Sequence, residues 1–400
     1  MLHRRLVDMD SLMEDQRTEI ANDEYEIIEY QVPIETSAIQ HLHEQNDESI
    51  SKKDCCLLIR TRERKVHSAK LSIQELMSHV HHGVDNTGNT RVWDCSNVLA
   101  SLIMGEKAMP MPMSASLVQK EMMGEGGLIF STDSPMIGLK DILSLASRAE
   151  ESTNNGRKIL KVLELGGGMA ALPSLALAAL ENNTFQGMHN DIPYIDVTIT
   201  DGHPTAVENN TVCSKLTQQL AVCSNDENAR DNIHCYPLLW KANEDGVKEC
   251  NALMKNSQRD HHHSQLAFDL VLVSDCTHFT EFHADLAATI GRLLRIGGVC
   301  ILCQPRRGES LKMFIELIHA MNTNYKDDVD GDGSCIPLFK MDLYNQYSET
   351  LFTSHERLVD DKNEYYDANI HYPLLLTLKK MRTYSEEIDT GKAVHHVKHR

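Results

Sequence analysis

A chain of 400 residues, 41% of them hydrophobic and with a formal net charge of −19, has material for a large core but lacks the basic balance of a general nucleic-acid binder. Its eleven cysteines follow no disulfide-framework spacing, and no secretory signal or long apolar segment stands out. The expectation is a soluble monomer of a reducing compartment, cytoplasm or nucleus, with no membrane and no nucleic acid among its partners.

Residues 1 to about 50 are polar, rich in Asp, Glu and Gln, and without sustained period, so loose structure or irregular helix is expected there. Cys56-Leu57-Leu58-Ile59 reads as a strand running into a basic stretch, Arg60, Arg62, Arg64 and Lys65. Ser72 and Glu75 form a capping box ahead of Leu76 and Met77 and predict a helix start. Asp85 to Asn89 is dense in turn formers and leads to Trp93, which opens a segment running to Ile103. Trp93 has two readings, a packing anchor or an amphipathic wall against an adenosyl group.

The most informative stretch is Lys161-Val162-Leu163-Glu164-Leu165-Gly166-Gly167-Gly168-Met169-Ala170-Ala171, followed by the apolar run Leu172 to Leu180. A short strand, three glycines and a helix start bring bare backbone and free N–H groups close to a ligand. Glu164, two residues before the first glycine, suits a cofactor with a positive charge or amine at that point. S-adenosylmethionine carries both, as sulfonium and amino group. The same glycines also satisfy the dinucleotide pattern, which leaves an NAD(P)-dependent oxidoreductase open. That fingerprint expects an acid about 20 residues on. Here the next strand, Ile195 to Thr200, ends later, in Asp201-Gly202, after a polar insertion from Glu181 to Pro193. A strand–turn–helix with no ligand is the third reading.

Strands and helices then alternate. Strands are predicted at Ile159–Glu164, Ile195–Thr200, Ile233–Trp240, Phe268–Ser274 and Gly298–Gln304, with helices at about 169–181, 204–222, 282–294 and 309–320. Alternation implies a parallel sheet covered on both faces, and ligands of such sheets bind at the carboxyl ends of strands. Glu164, Asp201, Trp240 and Asp275 would then converge on one crevice. Leu338–Leu343 and Tyr372–Leu378 look like two last strands with an antiparallel edge, and residues 381–400 form a basic flexible tail. The expected fold class is α/β, a Rossmann-like seven-stranded methyltransferase sheet, mostly parallel with an antiparallel last strand. An N-terminal accessory region, 1–80, precedes the catalytic domain, 81–380.

Three tempting motifs fail on geometry. Cys300 and Cys303 are three apart on a predicted strand and face opposite sides. His261-His262-His263 lies in a polar insertion, where adjacent histidines cannot all face one metal. Asp328 to Gly333 opens like a calcium loop, but its twelfth position is Phe339. No metal is expected, and no Gly-x-Ser-x-Gly elbow points to a serine nucleophile.

Asp85-Asn86-Thr87-Gly88-Asn89 leading to Trp93, Glu164-Leu165-Gly166-Gly167-Gly168-Met169, Thr200-Asp201-Gly202, Asp275-Cys276, Pro305-Arg306-Arg307-Gly308 and His371-Tyr372-Pro373-Leu374-Leu375-Leu376 together resemble the calmodulin-lysine N-methyltransferase family, over about residues 80 to 380. The resemblance implies a seven-β-strand protein-lysine methyltransferase that takes S-adenosylmethionine as cofactor and calmodulin, or another protein lysine, as substrate. It implies that Trp93, Glu164, Gly166, Gly167, Gly168, Asp201, Trp240 and Asp275 line the cofactor site. Asp275 opens the element that related enzymes write D-x-x-aromatic; here the fourth position is His278, with Phe279 beside it. Asp275 either orients the substrate amine or caps the turn after its strand, and His278 either relays a proton or is a turn residue. Phe279, Arg306 and Arg307 are substrate-contact candidates, the arginines either meeting an acidic surface or anchoring their own loop; Arg60, Arg62, Arg64 and Lys65 are a second basic candidate.

Overall fold

The structure is a computed structural model and describes residues 2–7, 24–34, 56–65, 91–105, 137–146, 153–154, 157–183, 193–220, 232–257, 267–323 and 336–384, with a few single positions between 128 and 135. Two compact units result, one drawn from Met1–Lys107, Ile137–Leu239 and Asn256–Gln265, the other from Ala108–Met136, Trp240–Lys255 and Leu266–Arg400. The capping box at Ser72, the turn at Asp85, the histidine run at 261–263, the acidic loop at 328–333 and the tail beyond 384 lie outside the described residues.

The first unit opens with a three-stranded antiparallel sheet: β1 (His3–Leu6), β2 (Tyr25–Pro33) and β3 (Cys56–Arg64). This corrects the expectation of loose structure for His3–Leu6 and Tyr25–Pro33; residues 8–23 and 35–50 lie outside the described residues. Register sets Arg5, Glu29 and Arg60 in one cross-strand row, and both arginines pair with the fully buried Glu29, at 2.5 and 3.1 Å. Glu63, also buried, accepts from Arg4 Nη2 at 2.8 Å and from Tyr30 Oη at 2.5 Å. Paired charges interrupt the apolar alternation of this sheet, so composition hides β1 and β2, while the strand expected from Cys56 is present as β3. Val7 and Ile27 pack with Val212 and Leu216 of a later helix. The basic stretch is corrected as well: Arg60 through Arg64 continue β3, and the Arg60 and Arg62 side chains are engaged inside the unit.

Helices α1 (Asp94–Met104) and α2 (Leu139–Ala146) and the short β4 (Thr153–Asn154) precede β5 (Arg157–Leu165). Then come α3 (Leu172–Asn183), β6 (Tyr194–Asp201), α4 (Pro204–Leu220) and β7 (Ile233–Pro237). β5, β6 and β7 pair in parallel, in that order, which puts Leu165 beside Thr200 and Asp201 beside Pro237 at one edge. Pro173 and Pro204 sit in the first turns of α3 and α4, where a missing N–H costs nothing. β7 stops at Pro237, which has no N–H, so Trp240 lies past the strand and not at its end, a correction to the expected span.

The second unit holds α5 (Glu244–Asn256), β8 (Phe268–Ser274), α6 (His283–Leu293), β9 (Leu294–Pro305), α7 (Ser310–Thr323), β10 (Phe339–Tyr344), α8 (Glu349–Asp360), α9 (Ala368–His371) and β11 (Pro373–Lys380). β8 runs parallel to β9, while β11 is antiparallel to both β9 and β10. Three parallel strands in the first unit and four in the second make the seven-stranded, mostly parallel, Rossmann-like set, with the last strand antiparallel. Cys300 and Cys303 are both buried within β9. Among the described residues, no helix is long and apolar enough to cross a membrane.

Candidate active site

In the first unit, the chain leaves β5 through a loop whose backbone needs glycine. Gly166 and Gly168 have φ of 71° and 56°, a left-handed conformation that a side chain resists. Gly167 is required by space: a Cβ there would lie 2.9 Å from Ile199 Cγ2 and 3.1 Å from Asn210 Nδ2. The Gly167 N–H donates to Thr200 O at 3.0 Å and the Gly168 N–H to Asp201 Oδ2 at 2.9 Å. Asp201 Oδ1 accepts from the His203 N–H at 2.8 Å, so this carboxylate ties the glycine loop to the start of α4.

Two residues that sequence reasoning missed complete the loop. Asn210 donates to Gly168 O at 2.9 Å and accepts from the Ala171 N–H at 3.0 Å; Asn209 donates to Met169 O at 2.5 Å. These bonds hold residues 166–171 out of helix, which is why α3 begins at Leu172 and not near 169. The signal was present: a buried Asn-Asn pair inside a helix is costly without partners, and α4 otherwise buries Val212, Cys213 and Leu216.

Glu164 is 1% exposed and accepts from the Ser174 N–H at 3.1 Å. Burial pushes its carboxyl up to about 8, so near neutral pH it carries a proton in the protein alone. A cation brought against it would restore the charged form. Trp93 precedes α1 as its N-cap residue, and its ring is covered by the Arg91 guanidinium, 4.3 Å from the centroid. Just beyond it, Ser96 Oγ and Asn97 Oδ1 are buried with no hydrogen-bond partner among the described residues.

The second unit gathers the other candidates. Asp275 follows β8 with φ 54°, and its N–H continues the ladder to Cys303 O at 3.0 Å. Its carboxylate is gripped by one guanidinium, Arg307 Nε to Oδ1 at 2.9 Å and Nη2 to Oδ2 at 2.5 Å. Arg307, with φ 45°, is also left-handed, and its N–H donates to Asn369 O at 2.8 Å. Two non-glycine residues held in this region and joined by a bidentate pair are a strained, over-determined arrangement of the kind found at functional sites. The expectation had given the two residues separate partners; the structure brings them together.

His278 Nδ1 lies 3.2 Å from Asp275 O, and its ring sits 4.0 Å from that of Phe279. Behind this turn stand residues that sequence reasoning missed. Gln304, fully buried in β9, accepts from Thr277 N and Oγ1 at 3.1 and 3.2 Å. His283 donates through Nε2 to Thr277 O at 2.7 Å, and Ser310 Oγ donates to the same carbonyl. Burial lowers the His283 pKa, keeping it a neutral, structural donor. A glutamine inside the apolar run Val299–Pro305 was the available signal. Arg306 is half-buried, and the indole Nε1 of Trp240, which only donates, is buried with no hydrogen-bond partner among the described residues.

These observations suit S-adenosylmethionine in the two units taken separately. The loop cradle admits no Cβ at Gly167, Glu164 is a neutral acid that a cation would ionise, and Trp240 Nε1 is a buried donor of the sort a ligand acceptor satisfies.

A calmodulin-lysine N-methyltransferase from Arabidopsis thaliana is 34% identical over 115 residues, covering 28% of this chain and 33% of that protein. The chain thus spans a third of the length of the curated relative it matches. Solved structures that match include an O-methyltransferase from Bacillus cereus in complex with SAH (11% identity, 60% of this chain and 90% of that one, TM-score 0.30). An rRNA methylase from Streptococcus thermophilus matches at 11% identity over 56% of this chain and 89% of that one, with TM-score 0.27. The sequence profile described as "Lysine methyltransferase" matches residues 79–321, more than half of the chain. The chain therefore belongs to the lysine methyltransferase family, whose cofactor is S-adenosylmethionine.

Proposed function

We propose that this protein is a protein-lysine N-methyltransferase that methylates a lysine of calmodulin. The similarity to the Arabidopsis calmodulin-lysine N-methyltransferase carries the choice of substrate. The family carries methyl transfer, and with it the dinucleotide oxidoreductase reading falls away.

The bound cofactor supplies an electrophilic methyl on a sulfonium. What remains for the protein is to present a neutral amine in line and exclude water. A lysine ammonium has no lone pair, and its ordinary pKa near 10.4 leaves little neutral amine at pH 7. An apolar channel shifts that balance toward the amine, and fixing its approach removes most of the entropic barrier. Asp275 is the residue to orient the amine. Its carboxylate is immobilised by Arg307 and its backbone is held to Cys303, so a hydrogen bond from the amine meets an acceptor that does not reorganise. His278 and Phe279 line the approach as an aromatic pair.

Calmodulin is acidic, and so is this chain at −19, so encounter depends on local cations. Arg307 is committed to Asp275 through both Nε and Nη2, and Arg60 and Arg62 are committed inside the first unit. Arg306, on the turn that follows β9, is the residue proposed to meet an acidic surface, with Arg64 and Lys65 as the second basic candidates.

The test is mass spectrometry of unmethylated calmodulin incubated with this protein and S-adenosylmethionine. The expected result is stepwise addition of methyl groups on one lysine, abolished by Asp201→Ala, which removes both the Gly168 and His203 bonds. Binding of S-adenosylhomocysteine without any methylation of calmodulin would refute the substrate and keep the family's chemistry for another protein lysine.

A further inference from the structure

We infer that Arg62, on the N-terminal sheet, is a positioning residue for the cofactor loop and acts through the side-chain amide of Asn209. The inference rests on the assignment of Gly166–Ala171 as the loop that holds S-adenosylmethionine. Asn209 is 1% exposed, and its Nδ2 donates to Met169 O in that loop at 2.5 Å and to Arg62 O at 2.8 Å. Its Oδ1 accepts from Arg62 Nε at 2.6 Å. An amide side chain has two N–H donors and an acceptor oxygen, so these bonds engage both ends of the group.

The guanidinium and the main-chain carbonyl of Arg62 act with Met169 O to set which way the amide faces. Turned over, Asn209 would set an oxygen against two carbonyls and a nitrogen against a guanidinium, losing all three bonds. Arg62 is itself fixed: it is 7% exposed, its guanidinium lies 4.7 Å from the Tyr25 ring centroid, and its N–H donates to Cys213 Sγ at 3.2 Å. A strand 147 positions away in sequence therefore helps set the orientation of the side chain that donates to Met169 O. Met169 adjoins Gly168, whose N–H goes to Asp201, so freedom at Met169 is passed to the bond that anchors the glycines. The basic stretch that looked like a substrate contact is, at Arg62, a brace for the cofactor loop.

The experiment uses the full chain, titrating S-adenosylhomocysteine calorimetrically and recording urea-unfolding midpoints on the same samples. Arg62→Met keeps the stem and removes the donors. Arg62→Lys keeps the charge and a donor group without the fork of the guanidinium. Asn209→Asp keeps an acceptor for Arg62 and loses the donor to Met169 O. Thr217→Val is the structural control: it deletes the Thr217 Oγ1 bond to Arg60 O, 3.1 Å, joining the same strand and helix away from the loop. Arg62→Met and Asn209→Asp are expected to weaken S-adenosylhomocysteine binding about tenfold, the worth of one buried hydrogen bond. Combining them adds little, because both act through one amide. Arg62→Lys recovers part of the affinity, and the KM for S-adenosylmethionine rises more than kcat falls in Arg62→Met. Thr217→Val lowers the unfolding midpoint and leaves affinity alone. Wild-type affinity in Arg62→Met, or an equal loss of affinity in Thr217→Val, would overturn the inference. A wild-type protein that does not bind S-adenosylhomocysteine overturns the cofactor-loop assignment, and the inference with it.

Discussion

Replacing Glu164 by Gln is expected to change how the stability of the cofactor-free protein responds to pH. The folded protein holds Glu164 at 1% exposure with one N–H donor, from Ser174, and burial raises its pKa from the ordinary 4.5 to about 8. Between those values the folded state keeps a proton that the unfolded chain has released. Stability therefore falls as pH rises through that window and is flat above it. At 1.36 kcal/mol per pH unit, the span from pH 5 to pH 8 amounts to about 4 kcal/mol. Gln keeps an oxygen for the Ser174 N–H and does not titrate. Its extra N–H costs a fixed amount at every pH, so the quantity to compare is the change between pH 5 and pH 8 and not either absolute value. Urea unfolding of both proteins at the two pH values measures it: wild type should lose about 4 kcal/mol more than Glu164→Gln. Equal pH slopes in the two proteins would show that Glu164 is ionised when buried and would refute the reasoning. A second readout is calorimetry of S-adenosylmethionine binding at pH 7 in buffers of different ionisation enthalpy, where wild type should release a proton that the variant does not.

Gly167→Ala should cost about 1–3 kcal/mol, from a Cβ 2.9 Å from Ile199 Cγ2, and should weaken S-adenosylhomocysteine binding; native denaturation and affinity would argue that the loop yields freely. Asp275→Asn keeps a residue tolerant of φ 54° and removes the charge opposite Arg307, so methyl transfer at saturating cofactor should drop on the order of 100-fold, read by mass spectrometry. An unchanged rate would leave Asp275 as a turn residue only. Burial lowers Lys380 from 10.5 to about 8, while its Nζ donates to Gly291 O and Leu294 O at 2.6 Å each. Between pH 8 and 10.5 the unfolded chain holds a proton the folded one lacks, so stability should rise with pH there by at most about 3 kcal/mol, a rise absent from Lys380→Met in urea unfolding.

The strands from Ile159 to Leu378 and the helices at α3, α4, α6 and α7 are legible because each buries its own apolar pattern; β8 matches its expected span, a continuous apolar run bounded by Ser274. Elements stabilised by pairing are not. β2 buries Glu29 only because Arg5 and Arg60 arrive from other strands, and α5 and α8 are polar on most of their surface. The partners of Glu29 lie 24 and 31 residues away in the chain.

The candidate site divides in the same way. The three glycines, Glu164, Asp201 and Asp275 were marked by the sequence alone, since each sits at a strand end whose position local apolar runs dictate. What those groups do is a matter of partners brought from a distance. Arg307 reached Asp275 across 32 residues, Asn209 and Asn210 reached the glycine loop across about 40, and Arg62 reached Asn209 across 147. Periodicity fixes which face of an element is buried, but hydrogen-bond partners and charge states are set by which distant faces meet, and that is decided only when the chain packs.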